Sequence, residues 1–309
     1  MDWRGKNVVV TGGAGFLGSH LCDRLKAEGC EPFVPRSARY DLRYPSGVSE
    51  MFLDAGPVDV LFHLAAVVGG IGLNKESPGT LFYENAVMGI QLVEQARLNG
   101  VEKFVQVGTV CAYPRAEYKQ REEALWSGYP DPTNAPYGLA KKMLLVQLQA
   151  YREQYGMNGI YLLPTNLYGP RDNFDLETSH VVPALVRKCV EARERGEDHI
   201  VVWGTGKPSR DFLYVEDAAE GLVLAAERYD RPEPLNLGSG QEVRIDALVH
   251  YVQGATGFEG GVKWDTSRPD GQPRRVLDSS RAKAAIGWEA RTPLLEGLRK
   301  TVQWYGEHR

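Results

Sequence analysis

The 309-residue chain predicts an α/β protein, a parallel sheet covered by helices on both faces and followed by a smaller α/β lobe. Three observations carry that prediction. Short, mainly apolar runs at residues 8–10, 58–64, 104–107 and 160–163 alternate with stretches of helical periodicity, and strands apolar on both faces call for helices on both sides of the sheet. A glycine-rich turn stands between the first apolar run and the first helical stretch. Beyond Pro164 the alternation loosens into shorter strands mixed with helices.

The elements follow in order. The run Val8-Val9-Val10 is the first strand, and residues 16–28 carry helical periodicity that stops at Gly29. A second strand is expected at 31–35, a third at 58–64, a fourth at 104–107 and a fifth at 160–163, with helices at 85–99 and 137–155. Past Pro164, strands are expected at 200–203, 234–237 and 261–264, and helices at 181–195, 216–228, 245–256 and 293–308. The expected division is a nucleotide-binding domain over 1–165 with a later return of about 211–240. A substrate-binding lobe would then comprise 166–210 and 241–309. Residues 267–273 form a polar, Pro/Gly-containing loop.

Composition narrows the function. Hydrophobic content of 43% and charged content of 25% suit a globular protein with a substantial core. A net charge of −4 gives no basic footprint for a nucleic-acid backbone. No apolar run approaches the roughly 20 residues that span a bilayer, and Met1-Asp2-Trp3-Arg4-Gly5-Lys6 carries no secretory pattern. Cys22, Cys30, Cys111 and Cys189 lack the paired short spacing of a metal knuckle or a disulfide framework. The expectation is a cytoplasmic protein without a bound metal.

Two motifs carry the chemistry. In Thr11-Gly12-Gly13-Ala14-Gly15-Phe16-Leu17-Gly18, Gly12, Gly15 and Gly18 lie where the first strand turns into the first helix. There glycines permit a sharp turn, close approach of a pyrophosphate and tight packing of helix on sheet, while the helix N-terminus favours negative charge. Such a turn in such a sheet defines a Rossmann dinucleotide site. The second strand is followed by Arg36-Ser37-Ala38-Arg39, with no carboxylate before Asp41. An acidic residue there would hold the ribose hydroxyls of NAD; Arg36 and Arg39 suit the 2′-phosphate of NADP through charge-assisted hydrogen bonds. The second motif is Tyr137-Gly138-Leu139-Ala140-Lys141, whose Tyr and Lys share one face of a helix. A lysine cation beside the phenol is expected to bring its pKa of about 10 nearer neutrality, so that the phenol can exchange a proton with a substrate oxygen. Thr109, just past the fourth strand, adds a hydroxyl at the strand ends where ligands bind in such sheets.

The glycine turn, Thr109 and the Tyr137/Lys141 pair resemble the extended short-chain dehydrogenase/reductases. Within them the chain resembles the epimerase/reductases that turn GDP-4-keto-6-deoxymannose into GDP-L-fucose. That resemblance is carried by Val68-Gly69-Gly70-Ile71, Cys111-Ala112-Tyr113-Pro114, Pro164-Thr165-Asn166-Leu167-Tyr168-Gly169-Pro170, Asp172-Asn173-Phe174, Ser179-His180-Val181, Val202-Trp203-Gly204-Thr205-Gly206 and Pro269-Asp270-Gly271, nearly the whole chain. It implies NADP as cofactor, a nucleotide-diphosphate sugar as substrate and a homodimer built through two long helices of each subunit. It implies further that Thr109, Tyr137 and Lys141 perform reduction, while Cys111 and His180 exchange protons for epimerisation. Gly12, Gly15, Phe16, Leu17, Gly18, Arg36, Ala65, Lys141, Pro164, Asn166 and Leu167 would bind cofactor. Asn166, Lys188, Trp203, Arg210 and Asp270 would contact substrate. Thr109 stands where the family usually has serine, and Lys188 where arginine is common, which exchanges a bidentate fork for a point charge.

The chemistry agrees with that implication. A 4-keto group acidifies the hydrogens on carbons three and five, and inverting such a centre needs one group to remove a proton and another to return one on the opposite face. Thiol and imidazole, with reference pKa values near 8.5 and 6.5, are suitable partners. Val110-Cys111 stands where sugar-nucleotide dehydratases carry an Asp-Glu pair, which argues against water elimination. Two alternatives stay open: an epimerase without net reduction, and a non-catalytic NADP-binding sensor or scaffold. Arg210, on an apolar strand edge beside Asp211, is expected either to meet a diphosphate or to bridge to Asp211 or Glu216.

Overall fold

The computed structural model describes residues 1–268 and 270–309. Pro269 of the Pro269-Asp270-Gly271 motif, and the side chain of Ile71, lie outside the described residues. From the N-terminus, β1 (Val8–Thr11) turns into α1 (Phe16–Ala27), and α2 (Pro45–Ala55) leads to β2 (Val60–His63). Next come α3 (Ile71–Glu76), α4 (Pro78–Leu98), β3 (Lys103–Val107), α5 (Ala135–Tyr155) and β4 (Gly159–Pro164). The later chain runs through β5 (Asn166–Tyr168), α6 (Val181–Arg195), β6 (His199–Trp203), β7 (Ser209–Tyr214), α7 (Val215–Arg228) and β8 (Leu235–Leu237). It ends with β9 (Glu242–Arg244), α8 (Ile245–Thr256), β10 (Gly261–Asp265), β11 (Arg274–Arg275), α9 (Ser280–Ile286) and α10 (Leu294–His308).

Five parallel strands form the main sheet in the order β1-β2-β3-β4-β8. Successive side chains of a strand point to opposite faces, and here both faces are apolar. Val8, Val10, Val60, Phe62, Val105, Ile160 and Leu162 enter one core, with Leu21 and Leu25 of α1 and Leu222 and Val223 of α7. Val9, Leu61, Phe104, Tyr161 and Leu163 enter the other, against α2, α4 and α5. The mainly apolar runs in the sequence are thus strands sandwiched between two helical layers. A third core unites α6, α8 and α10 with β6 and β7. β6 pairs in parallel with β10, and β7 with β5 and β11, while β9 runs antiparallel to β7. No described helix is long and apolar enough to cross a membrane.

The expected strand at 31–35 is a correction. It contracts to one parallel bridge, Val9 to Phe33, held by Phe33 N donating to Val8 O and Val10 N donating to Phe33 O. Pro32 and Pro35 flank Phe33 and have no N–H to extend the ladder. β7 is expected only as an apolar strand edge at Arg210, without bounds, because its charged start reads as surface. Asp211 is nonetheless fully buried and accepts bonds from Ser239 N, Ser239 Oγ, Gly240 N and Leu277 N.

Candidate active site

The carboxyl ends of β1 to β4 converge on one cleft, where ligands bind in sheets of this kind. At the end of β1, Gly12 has φ +72°, and a Cβ there would stand 2.7 Å from Ala65 N just past β2. A side chain on Gly18 would run into the backbone of Gly12 and Gly13. The turn therefore keeps α1 pressed against β1 with no side chain over its first amides. Gly15, the N-cap of α1, makes no side-chain cap, and the first turn holds no acidic residue. The amides of Phe16, Leu17 and Gly18 open the helix with its positive dipole end free. A pyrophosphate fits this cradle. At the rim, Arg39 is committed to Glu50 at 3.2 Å and Asp54 at 2.5 Å. Arg36 is exposed and forms no ion pair among the described residues.

The next part is built on one short 3₁₀ turn, Val110–Ala112, after β3. Thr109 caps it: its Oγ1 accepts from Cys111 N at 3.1 Å. Gly138 explains how α5 meets this turn, because any Cβ there would strike the Cys111 carbonyl. With that close approach, the Tyr137 side chain comes to lie beside the Thr109 side chain. One turn further, Lys141 is buried, and Tyr161 Oη donates to its carbonyl at 2.9 Å. Tyr161 reaches that carbonyl past Gly108, where a Cβ would overlap its ring.

Electrostatics revise one expectation. Burial pushes the Tyr137 phenol well above its ordinary value; proximity to Cys111 adds to this and the Thr109 side chain only opposes it. Lys141 does not bring the phenol toward neutrality in the free protein. Burial draws the Lys141 ammonium itself down to about 8. In a low-dielectric pocket the loss of hydration outweighs the mutual help of the two groups. Tyr137 is held here as a protonated donor.

Across the cleft, His180 is the N-cap residue of α6, but its ring makes no cap. The ring is open to the cleft yet deep within the molecule, and burial, then the charge of Arg275, hold it below the ordinary imidazole value. The 69–70 segment flanks it, since a Cβ on Gly70 would stand 3.3 Å from Ser179 O. Arg210 makes no bridge to Asp211 or Glu216; Nη1 donates to Ser209 O at 2.8 Å, and no carboxylate pairs with it among the described residues. Burial foremost, then Arg275, bring its guanidinium down to about 10. Asn166, at the end of β4, donates to Asp211 O at 2.8 Å, between Pro164 and Leu167 at the strand tips.

At the far end of the lobe, Trp203 is 51% exposed, so its ring is available for stacking. Lys188 Nζ lies 5.8 Å from the ring centre and donates to Val201 O at 2.8 Å. Arg268 lies over the same ring at 4.9 Å. Asp270 is engaged by the Gly204 turn, accepting from Thr205 N at 2.6 Å and Thr205 Oγ1 at 2.8 Å. The structure therefore joins Thr109, Cys111 and Tyr137 directly, and Lys188 with Trp203. Arg36 and Trp203 stand apart from the 3₁₀ turn. Sequence reasoning missed Arg268, Arg275, Gln272 and Tyr161. Only strand register brings Arg275 opposite Arg210, and nothing in Pro273-Arg274-Arg275 announces it.

A five-stranded parallel sheet with an open glycine cradle at β1 and the Thr109 and Tyr137 hydroxyls past β3 define a nucleotide-dependent enzyme of the extended short-chain type. The chain belongs to the NAD dependent epimerase/dehydratase family, whose model matches residues 8–238. More particularly, it is 43% identical over 300 residues to the GDP-L-fucose synthase of Sinorhizobium fredii, covering 97% of this chain and 95% of that one. It is 40% identical over 307 residues to GDP-L-fucose synthase 1 of Arabidopsis thaliana, covering 99% and 94%. A crystal structure of a GDP-L-fucose synthetase from Naegleria fowleri bound to NADP superposes with a TM-score of 0.89 at 30% identity, covering 98% and 95%.

Proposed function

We propose that this chain is an NADP-dependent enzyme that epimerises GDP-4-keto-6-deoxy-D-mannose at carbons three and five and reduces it at carbon four, giving GDP-L-fucose. One observation carries the reading: a single 3₁₀ turn presents Thr109 and Cys111 together, with the Tyr137 side chain beside both. Reduction and proton exchange therefore share one substrate position. The relatives named above support the same substrate class.

In this reading the Gly12–Gly18 turn and the amides of Phe16, Leu17 and Gly18 hold the pyrophosphate. Arg36 meets the 2′-phosphate, Lys141 the nicotinamide ribose, and Ala65, Pro164, Asn166 and Leu167 line the cofactor's path. Trp203 stacks on the guanine, Lys188 and Arg210 meet the diphosphate, and Asp270 holds the Gly204 turn in place around the nucleotide. Cys111 removes a proton beside the ketone, and the electron pair moves to the keto oxygen. Thr109 and Tyr137 donate hydrogen bonds to that oxygen. His180 returns a proton to the opposite face. NADPH held by these residues would supply the hydride that carbon four gains. Tyr137, held protonated by burial, gives its proton to the resulting alkoxide.

The division into a nucleotide-binding body (1–165, with 211–240) and a substrate lobe (166–210 and 241–309) belongs to this reading. So do a cytoplasmic location and a homodimer. The dimer is supported by exposed apolar side chains on α4 (Tyr83, Ile90, Leu98) and α5 (Met143, Val146, Tyr155), on helices packed side by side.

The test is incubation with GDP-4-keto-6-deoxymannose and NADPH in deuterated water. The expected product is GDP-L-fucose with deuterium at carbons three and five and one NADPH consumed per sugar. Deuterium uptake without NADPH oxidation would instead identify an epimerase. Tight NADPH binding with no change in the sugar would identify a sensor.

A further inference from the structure

We propose that Arg275 is the counter-charge of Cys111, its guanidinium stabilising the thiolate that removes the proton beside the ketone. This rests on the epimerase reading above and adds a residue to it.

Arg275 is 8% exposed. Its Nε donates to Gln272 Oε1 at 3.2 Å and its Nη1 to Cys111 Sγ at 3.6 Å. Among the described residues no carboxylate pairs with it. The contrast with its neighbour is informative: Arg274, on the outer side, is paired with Glu242 at 2.6 Å. The chain thus gives an anion to the accessible arginine and none to the buried one. A buried cation without a counter-charge is costly, and Arg210, in register across the ladder, places a second unpaired guanidinium beside it. Among the described residues the sulfur of Cys111 is the one group in hydrogen-bonding contact with Arg275 that can become an anion, and a thiolate there answers both charges. Gln272 fixes the guanidinium plane from the other side.

The charges around the pair fit this arrangement. Cys111 faces Tyr137 of α5, which burial keeps neutral, and Arg210 of β7. Arg275 faces Arg210 and, at the start of α6, His180, whose proton affinity it lowers after burial has done so. An imidazolium so placed gives up its proton readily. In the proton exchange the carbon–hydrogen bond breaks as the sulfur–hydrogen bond forms, and the electron pair moves onto the keto oxygen. The imidazolium then protonates the opposite face and becomes neutral. Solvent restores both side chains, so the step is an isomerisation with no net change in the protein. Arg275 touches the sulfur and acts through it, as a positioning residue.

The experiment needs no sugar. Alkylation of Cys111 by iodoacetamide is followed by mass spectrometry from about pH 6 to 9 in the wild-type chain and in R275Q and R275K, with C111S as the blank. R275Q should move the rise in rate to higher pH and slow alkylation at neutral pH about tenfold or more. R275K, which keeps the charge, should recover most of it. Superimposable profiles of wild type and R275Q would overturn the proposal. Should R275Q fail to fold, judged by NADPH binding, R275M is read in the same assay: slowed alkylation supports the proposal and a profile superimposable on wild type overturns it. In R275Q, deuterium uptake into the keto sugar should fall about tenfold while NADPH affinity stays. A wild-type chain that leaves the keto sugar untouched would refute the epimerase reading while the alkylation profiles still judge the Arg275–Cys111 pair.

Discussion

At the scale of single residues, the proposed function assigns two proton-handling jobs to groups around one turn. Tyr137→Phe removes only a hydroxyl, so NADPH oxidation should fall by about 10²–10⁴-fold while deuterium exchange into the sugar persists. Cys111→Ser and His180→Asn should do the reverse, slowing exchange while leaving NADPH affinity unchanged. Exchange at the wild-type rate in both would place the acid/base groups elsewhere. Lys141 makes a separate prediction. Its folded value of about 8 lies below the ordinary 10.5, so between those values the unfolded chain binds more protons and stability rises with pH. Below about pH 8 both states are protonated and the burial cost is fully present. Urea unfolding of the unliganded chain at pH 8 and 10 should therefore show a rise on the order of 1–3 kcal/mol that Lys141→Met flattens. A rise of equal size in the variant would sink this account. Thr109, Tyr137 and Lys141 were legible from type and spacing. The protonated state of Tyr137 was not, because desolvation depends on what packs around the ring.

At the scale of elements, the junction between α5 and the 3₁₀ turn sets the site's geometry. Gly138 lets the helix touch the Cys111 carbonyl, and both atoms of that contact belong to backbone, which cannot step aside. Gly138→Ala should destabilise the chain by about 1–3 kcal/mol, as overpacking does. It should also reduce turnover more than NADPH affinity, since Tyr137 is pushed off Thr109 while the Gly12–Gly18 turn is untouched. Differential scanning calorimetry and NADPH titration together check this; an unaltered melting temperature with full turnover would contradict it. Long periodic elements were legible, and α6 and α8 match their expected bounds. The expectation failed at 31–35, where two prolines cut the ladder, and at β7 and β11, where burial of charged residues overrode their surface-like composition.

At the scale of the molecule, α4 and α5 pack side by side and both carry exposed apolar side chains. Gln147 Nε2 donates to Ile90 O at 3.2 Å, so the two faces are contiguous. If they pair with a second copy, sedimentation velocity should find the wild-type chain at twice its 34.3 kDa mass. Ile90→Glu combined with Val146→Glu should then yield a folded monomer, because like charges brought together in a buried interface are strongly disfavoured. A wild-type chain that sediments as a monomer at micromolar concentration would refute the dimer.

The sequence by itself determined the layered sheet, the glycine cradle, the stretch after Pro35 with no carboxylate before Asp41, and the Tyr137/Lys141 spacing. Each of these is a local pattern whose period or spacing follows from one strand or one helix. Only the tertiary structure decided which charges face one another. Arg275 meets Cys111 across 164 residues of chain, Arg39 is drawn away to Glu50 and Asp54, and Arg210 is left without a carboxylate beside a buried Asp211 that backbone amides already satisfy. Charge pairing and desolvation act through space, and no spacing along the chain encodes them.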